Sequence, residues 1–557
     1  MTKGQNGLFA LAIGTAFALV CSSGCSGCKG SSGNGGGGGG EGGSSEAPPV
    51  RVQPGAGGPS CTPSIQAESV AQPTTVVGTG SAASCTENAF AAAVAKGGVI
   101  TFHCGGAATI PITSTKELPP GKDTIIDGGG KVTLDGQHKV RILHLGGTGF
   151  QASHKKVVLQ HISLVNGKAT GTALPVAPDP CSHGIATDGG GGALWVRDAV
   201  VHVVDATFSG NEGATPGPDV AGGAIYVVGS VDTTIVGSHF KQNTASNGGA
   251  VGALFGNLTL ANDEFEGNKA NGDGGNGTDT DECTTPTGQV GNGGIGGAVV
   301  IDGGEPFEVT VCGSTFKANQ ANVLAGALAR TADAAPQTTT INGTTFDGNT
   351  ASGGGALYFH HAKLAVVAST FSGNSAKNGG ALQADDTTLA FVNDTFVENK
   401  ATASLGGAIT LFSGGGSIMS STFVSNHADS GSGKFGAAIA GGTKLDVLNT
   451  IFANQSSEDC DSPMTCAAGA STGANDLQWP QNHVACAKPD PACAAGTVFA
   501  DPKLGALGAN GGPTQTVVPA AGSPAIGAGK GFCPGQDQRG QPRKSPDGCT
   551  IGAVEAQ

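Results

Sequence analysis

A repeated motif constrains the fold of this chain more than any other feature. Gly-Gly-Ala recurs along the chain, and a Phe-x-x-Asn element follows each copy. Successive copies lie 25 to 31 residues apart, with one longer gap of 48, and their second glycines are Gly192, Gly223, Gly249, Gly297, Gly326, Gly355, Gly380 and Gly407. A fixed period of this length is typical of a solenoid built from one small repeated unit.

Phenylalanine and asparagine keep the same period. The phenylalanines are Phe208, Phe240, Phe265, Phe316, Phe346, Phe371, Phe396, Phe423 and Phe452. An asparagine lies three residues after each of the first eight, at Asn211, Asn243, Asn268, Asn319, Asn349, Asn374, Asn399 and Asn426. Phe452 breaks the pattern, because Asn454 follows it by two residues. We expect the rings to stack inside the molecule and the amides to form a ladder at a turn.

Short segments within each unit alternate between apolar and polar residues, as strands do, and none has a helical period. One such coil cannot bury its apolar face, but coils stacked about 4.8 Å apart share a continuous core. The prediction is an all-β, right-handed parallel β-helix of roughly fourteen coils, about 65 to 70 Å long. Glycine, at 98 of 557 residues, supplies the positive φ that tight corners need.

The repeats divide the chain into regions. Residues 61–170 form an N-terminal cap with irregular first coils, residues 171–456 hold the regular repeats, and residues 457–557 form the C-terminal coils and a disulfide-bearing cap. Ser84 and Glu87 fit a helix capping box, and Gly97 fits the end of that helix. We expect this short helix to cover the open edge of the first coil.

The N-terminus has the pattern of an export signal. Lys3 precedes an apolar run from Leu8 to Val20, which is too short to span a bilayer. The stretch from Ser22 to Cys25 resembles a bacterial lipoprotein signal, although Ser22 replaces the usual leucine. The resemblance implies a signal peptide over residues 1–24 and a lipid on Cys25; ordinary cleavage and release is the alternative. Residues 25–60 are rich in Gly, Ser and Pro, and we expect a disordered tether with a reach of about 30 Å.

The repeats resemble those of polymorphic outer membrane proteins and of the wider pectin-lyase-like β-helix superfamily. Residues 503–554 resemble the C-terminal region of bacterial choice-of-anchor surface proteins of the Q type. The matching stretches are 503–505, 510–514, 522–526, 537–540 and 551–555. The resemblance implies an exported protein at the outer membrane or cell surface.

Fifteen cysteines support export, since twelve remain beyond the signal region and an even number suits disulfides. Sequence proximity suggests four pairs, which are Cys85 with Cys104, Cys460 with Cys466, Cys486 with Cys493 and Cys533 with Cys549. Cys61, Cys181, Cys283 and Cys312 remain without an assigned partner. No Cys-x-x-Cys spacing indicates a zinc site within this set.

Composition excludes several partners. The formal charge is −14, from 28 Lys plus Arg against 42 Asp plus Glu, and no basic cluster suits nucleic acid. Residues 291–296 match G-x-G-x-x-G, but no βαβ pattern surrounds them, so we predict a turn rather than a nucleotide site.

Acidic residues cluster in the longest insertion of the repeat. They are Asp273, Asp279, Asp281 and Glu282, and their carboxylates are ligands that calcium accepts. A nearby stretch begins like the calcium-binding nonapeptide, but it occurs once and Asp281 stands where a large apolar residue is needed. The alternatives are a calcium site, the one cofactor the sequence suggests, and a solvated acidic loop.

Candidate catalytic residues occur in the first regular coils. They are His183, Asp188, Arg197, Asp198 and Asp205, which place carboxylates and basic groups on neighbouring strands. Proton abstraction or paired carboxylates are the chemistries that such groups provide. None aligns with a catalytic motif, and turn formation is the other interpretation. His360, His361 and Tyr358 form one more polar and aromatic cluster, expected on a coil surface.

Two functions follow as expectations. In the first, the chain is a noncatalytic, lipid-anchored rod at the cell surface that contacts a glycan or a surface protein. In the second, it is a polysaccharide lyase or glycoside hydrolase of the pectin-lyase-like superfamily. The fold alone does not choose between them.

Overall fold

The computed structural model describes residues 61–556, apart from residues 148, 170–188, 215–219, 273–292, 304–306, 332–337, 430–434, 484 and 545–547. These residues form a parallel β-solenoid of about 13 turns, which confirms the predicted all-β solenoid. The predicted signal peptide, Cys25 and the predicted tether lie outside the described residues, as do Cys181 and Cys283.

Parallel strands stack from coil to coil and form four faces. Face 1 comprises Lys116–Glu117, Leu143–Leu145, Leu194–Arg197, Ile225–Val228, Val251–Leu254, Val299–Asp302, Leu328–Arg330, Leu357–His360, Leu382–Asp385, Ile409–Leu411 and the first parts of Ile439–Leu448 and Cys466–Ala474. Face 2 comprises fourteen strands, which are Thr75–Val77, Gly98–Phe102, the first parts of Thr124–Asp135 and Lys156–Val165, Val200–Val204, Thr233–Val236, Leu258–Ala261, Val309–Cys312, Thr338–Asn342, Lys363–Val367, Thr387–Val392, Gly414–Met419 and the second parts of Ile439–Leu448 and Cys466–Ala474.

Face 3 carries the repeated phenylalanines. It comprises Ala108–Pro111, the second parts of Thr124–Asp135 and Lys156–Val165, Thr207–Ser209, His239–Lys241, Glu264–Glu266, Thr315–Lys317, Thr345–Asp347, Thr370–Ser372, Thr395–Val397, Thr422–Val424, Ile451–Ala453, Leu477–Trp479 and Val498–Phe499. Face 4 comprises two-residue strands, which are Thr244–Ala245, Lys269–Ala270, Gln320–Ala321, Ser375–Ala376, Lys400–Ala401, His427–Ala428 and Ser456–Ser457.

One short helix, Glu87–Lys96, packs against the first strand of face 1 and the first strand of face 2. The predicted end at Gly97 is confirmed, with φ of 64° there. The predicted N-cap is wrong: Ser84 lies in a 3₁₀ turn, Ala82–Ser84, and Thr86 accepts the hydrogen bond from Ala89 N–H instead. Glu87 therefore does not take part in a capping box with Ser84. Its carboxylate instead accepts hydrogen bonds from Thr113, Ser114 and Lys116.

The repeated phenylalanines form one stack inside the solenoid. Successive rings from Phe208 to Phe452 lie 4.5 to 5.2 Å apart between centroids. Their planes are nearly parallel, and the side chains are fully buried. The spacing matches the distance between paired strands, so each coil adds one ring to the stack. The predicted aromatic ladder is confirmed.

The repeated asparagines form a second, polar ladder. Asn243 is representative: its backbone N–H and its Nδ2 both donate to Oδ1 of Asn268, at 3.0 and 2.9 Å. Its Nδ2 also donates to the carbonyl of Phe208 at 3.0 Å. Each fully buried amide therefore has partners for both its donor and its acceptor atoms, which removes the cost of burying it.

Gln455 continues the amide ladder where the sequence pattern breaks. The backbone N–H of Asn426 donates to its Oε1 at 3.1 Å, and its Nε2 donates to the carbonyl of Phe423 at 2.8 Å. Asn454 does not take this position and instead adopts a left-handed backbone, with φ of 54°. A longer amide side chain three residues after Phe452 replaces asparagine, so the ladder has no break here.

A third ladder runs between faces 2 and 3 and was not predicted. In most coils a hydroxyl or carboxylate side chain two residues before the ladder phenylalanine accepts a hydrogen bond from the backbone of the preceding coil, as in Ser369 N–H to Asp394 at 2.8 Å. Asp476, two residues before Gln478 in the coil after Phe452, accepts from Thr450 N–H at 2.8 Å in the same way. Burial raises the pKa of Asp263 and Asp394, and it raises the pKa of Asp476 to about 7. Burial therefore disfavours the ionised form of these carboxyl groups.

Five disulfides join described cysteines. Cys85 pairs with Cys104 and Cys533 with Cys549, as predicted. The predicted pairs within 460–466 and 486–493 are wrong, because Cys460 pairs with Cys486 and Cys466 with Cys493. Residues 26 or 27 positions apart lie one coil apart and stack directly, with Cα atoms 6.2 and 5.1 Å apart. The fifth bridge joins Cys61 to Cys312.

Residues 61–73, here called the N-strap, cross the outside of several coils before the chain enters the first strand. Cys61 is bonded to Cys312, and its carbonyl accepts a hydrogen bond from Asn262 Nδ2 at 3.1 Å. Farther along, Glu68 exchanges backbone hydrogen bonds with the side chain of Gln160, at 2.8 and 2.9 Å. The N-strap therefore runs from the middle of the rod towards its N-terminal end.

Residues 500–556, here called the C-terminal segment, lie against the side of the rod. Gln538 is fully buried and donates to Ser369 O and to Thr370 Oγ1, at 3.1 and 2.7 Å. Arg543 donates to Asn393 Oδ1 at 2.8 Å. In the sequence interpretation this region forms a cap, whereas in the structure it covers face 3 and its corner with face 2. The outward residues there, such as Val397 and Val424, pack against Val517.

We expect Asn349→Ala to lower the free energy of unfolding by about 3 kcal/mol or more. The change removes the acceptor of the backbone N–H of Asn319, one of the two acceptors of Asn319 Nδ2, and the side-chain donor to the carbonyl of Phe316. Each buried polar group that loses its partner costs about 1 to 3 kcal/mol. Guanidinium denaturation followed by circular dichroism measures the change. The control is the exposed Asn322→Ala, and equal losses in both variants would contradict a stabilising ladder.

Asp476→Asn should remove a pH dependence of stability. A carboxyl whose pKa is raised to about 7 on folding stabilises at low pH, and this stability is lost as the pH rises through that value. Between about pH 4 and pH 8 the loss reaches up to about 4 kcal/mol. Denaturation of both proteins across this range gives the difference. Glu398→Gln, at an exposed carboxylate, is the control and should follow the wild type; a variant curve parallel to the wild type would refute the assignment.

Candidate functional site

The structure separates the predicted catalytic residues. Asp198 and Asp205 lie at opposite ends of the strand Val200–Val204, which alone spans about 13 Å at about 3.3 Å per residue. Arg197 ends a strand of face 1, next to Asp198. His183 and Asp188 lie outside the described residues. Asp198 and Asp205 therefore cannot act on one bond.

Asp198 has a structural role. Its side chain is buried, and Oδ1 accepts hydrogen bonds from the backbone N–H groups of Ala152 and Ser153, at 2.7 and 3.1 Å. These contacts hold the segment after Leu143–Leu145 across the corner between faces 1 and 2. Phe150 of this segment packs edge-on against Phe255, with centroids 5.7 Å apart. The turn interpretation of Asp198 is the one that its contacts support.

Asp205 lies near a histidine that the sequence did not single out. Its Oδ2 is 3.8 Å from His161 Nε2, and Asp127 Oδ2 is 3.3 Å from His161 Nδ1. The backbones of His161 and Asp205 are both left-handed, with φ of 48° and 49°. These three residues occupy one corner in successive coils, so the row follows from the register of the repeat.

The predicted calcium ligands Asp273, Asp279, Asp281 and Glu282 lie outside the described residues. Another group, His427, Asp429 and Glu458, brings three possible ligand atoms within 4.8 Å of one another. Hydrogen bonds already occupy both nitrogens of His427, to Ser456 and Asp429 at 2.7 Å each. Lys400 Nζ lies 2.8 Å from Asp429 and supplies the positive charge. This group is a hydrogen-bonded cluster, and no metal is assigned to it.

The histidine cluster is partly as expected. His361 pairs with Asp386 at 2.7 Å and His360 lies 3.6 Å from Asp385, all on the outside of a corner. Tyr358 is buried, because it packs beneath the glycine-rich corners outside face 1. The tyrosine is therefore not part of an exposed aromatic surface.

A groove of about 620 Å³ opens beside faces 3 and 4 in the N-terminal half of the rod. Its lining residues are mostly polar: His138, Asn166, Lys168, Ser209, Gly210, Glu212, Gly213, Ala214, Gln242, Thr244, Ala245 and Asn271. Of these, His138, Lys168 and Glu212 carry ionisable groups. The groove is a concave site in the described part of the chain that offers chemistry.

Glu212 is the centre of the groove. Its Oε1 lies 2.9 Å from His138 Nδ1, and its Oε2 lies 2.8 Å from Lys168 Nζ. Burial opposes its ionisation, but Lys168 and His138 outweigh burial and hold the pKa of Glu212 below its ordinary value. The carboxylate is therefore ionised at neutral pH and cannot serve as a proton donor there.

The amide ladder positions this group. Glu212 directly follows Asn211, the first asparagine of the ladder, and its backbone bridges to Lys168 and Thr244 in adjacent coils. Gly210 keeps the floor open: its φ is 64°, and a Cβ there would lie 2.9 Å from Asn166 Oδ1. The ionisable side chains thus stand on a rigid base.

Three described segments end at or beside this groove: Ala214 lines it, Ala169 follows the lining residue Lys168, and Gly272 follows the lining residue Asn271. The sequence did not point to this site, because His138, Lys168 and Glu212 lie 30 to 74 residues apart, and the first two belong to irregular coils that precede the regular repeats.

Comparisons with known proteins supply no identity. No protein-family model matches the chain, and no curated protein is similar to it at a significant level.

Asp198→Ala is expected to loosen the segment around Ala152 without changing the groove. The variant loses the acceptor for two backbone N–H groups, so amide exchange at residues 150–153 should rise by at least tenfold, while exchange near Glu212 stays unchanged. Hydrogen exchange with mass spectrometry reports both regions. Asp501→Ala, at an exposed position far from this segment, is the control. Unchanged exchange at 150–153 would show that Asp198 does not hold the segment.

Proposed function

We propose that this chain is an exported, lipid-anchored rod that acts noncatalytically in adhesion or surface interaction. The observation that carries the proposal is the unbroken stack of rings and amides from Phe208 to Gln455, which makes a stiff support and holds no reacting group. Such a support suits a protein whose task is to present side chains at a distance from its anchor.

The disulfides support the proposed location. Several disulfides point to an oxidising, extracytoplasmic environment. In the described part of the chain, no helix has the length and hydropathy needed to cross a bilayer. Within the proposal, Cys25 carries the lipid, residues 25–60 form the tether, and the choice-of-anchor resemblance of residues 503–554 favours the outer membrane or cell surface. The stretches that carry that resemblance include Gln538, whose buried contacts hold the C-terminal segment on the rod.

The groove is the proposed contact site for a glycan. His138, Lys168 and Glu212 form a neutralised donor and acceptor set, and Asn166, Gln242 and Asn271 add amides. Sugar hydroxyls pair with such groups. The exposed outer residues of face 3 next to the groove, such as Lys241 and Glu266 with their ion pair of 2.6 Å, extend a polar surface along the rod.

One observation favours a second function, a polysaccharide lyase. His138 and Lys168 are basic groups in a concave site, and a lyase needs a base to take the proton beside a uronate carboxylate. Glycoside hydrolysis has less support: Glu212 is the sole carboxylate among the described lining residues, whereas hydrolysis uses two, one of them protonated.

Anchoring is tested by labelling cells that express the full chain with a clickable palmitate analogue. Cys25→Ser should abolish labelling and release the protein from membranes, and Cys28→Ser is the matched control that should retain both. Labelling that survives Cys25→Ser would place the lipid elsewhere; no labelling of the wild type would refute lipid anchoring.

Binding and catalysis are separated by one panel of plant, bacterial and animal polysaccharides. We expect the wild-type protein to bind at least one of these glycans without releasing unsaturated uronides or reducing ends. Lys168→Met and Glu212→Gln should each lower the affinity for that glycan by tenfold or more. Lys488→Met, far from the groove, is the control. Formation of unsaturated uronides by the wild type, abolished in His138→Gln, would establish the lyase instead. Glycan binding that the groove variants leave unchanged would show that the contact site lies outside the groove.

A further inference from the structure

The described chain first contacts the rod at its middle and only then reaches the N-terminal end. The first described residue, Cys61, is bonded to Cys312. Cys312 belongs to Val309–Cys312, the eighth of the fourteen strands of face 2. From Cys61 the N-strap runs back to Gln160 on the fourth strand, and the chain enters the first strand only at Thr75. Everything before Cys61 therefore attaches at the middle of the rod.

The bridge closes a covalent loop over half of the molecule. Cys61 and Cys312 are separated by 251 positions. The loop contains the first seven strands of face 2 and the whole groove from His138 to Asn271. Six strands of face 2 lie beyond it. A force applied to the segment before Cys61 passes through the disulfide into Cys312 and bypasses residues 62–311.

The two possible points of entry differ in strength. The first strand, Thr75–Val77, pairs on one side, through three residues, with Gly98–Phe102. Val309–Cys312 pairs on both sides, through four residues each, with Leu258–Ala261 and Thr338–Asn342. An end strand can be peeled away one pair at a time, whereas an inner strand must lose both neighbours before it leaves the stack. Attachment at the inner strand therefore resists tension better.

We propose that the Cys61–Cys312 bridge is the mechanical attachment point of the rod. It holds the solenoid side-on to the anchoring surface, with a comparable length of rod on either side, and it keeps the groove half folded when the anchor is pulled. The side-on orientation rests on the proposed anchored function; the path of the force does not. Neighbouring strands of face 2 are about 4.8 Å apart. The seven strands before Val309–Cys312 therefore place the first coil about 34 Å from the attachment point, and the six strands after it place the last coil about 29 Å away.

Single-molecule pulling tests the path of the force. The full chain is held by one handle within residues 25–60 and one at the C-terminus. In the wild type the 250 residues inside the loop do not extend. Cys61→Ser with Cys312→Ser should lengthen the fully extended chain by several hundred ångströms, up to about 830 Å at 3.6 Å per residue, because the Cys85–Cys104 bridge inside the loop stays closed. The first unfolding event should also require less force.

The control is Cys533→Ser with Cys549→Ser, which opens a bridge of 16 positions outside the loop and should add about 60 Å at most. Should the double variant at 61 and 312 not fold, the folded wild type is pulled with and without reductant. The described bridges other than Cys61–Cys312 span 16 to 27 positions each and together account for about 320 Å at 3.6 Å per residue. With reductant, a gain well above that length therefore reports the Cys61–Cys312 bridge. A gain below about 100 Å, or equal first unfolding forces, would overturn the proposal.

Fluorescence energy transfer on vesicles tests the orientation. Acceptor lipids are added to the membrane, and a donor is placed at the exposed position 103 near the first coils or at 488 near the last. With the bridge intact, both positions should transfer energy to a similar extent. Opening the bridge should bring position 103 closer and move position 488 away. Unequal transfer with the bridge intact would refute side-on holding, whereas failure of the chain to bind vesicles would refute the lipid anchor and leave the pulling result standing.

Discussion

Register between coils is the constraint on which the rest of this structure depends. Each coil must place an amide beneath the amide of the next coil, because the ladder amides are fully buried and have no solvent to pair with. A shift by one residue would turn the strand over, expose the phenylalanine ring and orphan the amide at once. Aromatic stacking alone tolerates small slips, whereas the hydrogen bonds from Asn243 to Asn268 do not. The polar ladder therefore sets the register, and the apolar stack provides the burial.

The same register places the side chains of the groove. Lys168, Glu212 and Thr244 occupy equivalent backbone positions in successive coils, and Glu212 follows the first ladder asparagine directly. A rigid ladder thus fixes the floor of the site. The arrangement separates stability from recognition: residues that point inwards keep the period, while outward residues and insertions vary without breaking it.

Two segments outside the repeat control how the rod is covered and attached. The C-terminal segment covers the outward face of face 3, where Val397 and Val424 replace the charged residues found at Lys241 and Lys317. The N-strap crosses the corner between faces 2 and 3 in the other half and ends at Cys312. Between them, these segments occupy one flank of the solenoid, and the groove on the other edge of face 3 remains open in the described structure.

The sequence by itself determined the solenoid, the phenylalanine stack, the asparagine ladder and the end of the capping helix, because these depend on periodicity and on local backbone preferences that a single chain displays. Only the tertiary structure decided the rest. Cys460 and Cys486 are distant in sequence but adjacent between coils, Gln455 replaces an asparagine through its longer side chain, and Asp198 and Asp205 are separated by a strand. The groove and the mid-rod bridge likewise arise where irregular segments meet the stack. Contacts between coils depend on the exact number of residues per coil, which insertions change, so their partners cannot be assigned until the coils are stacked.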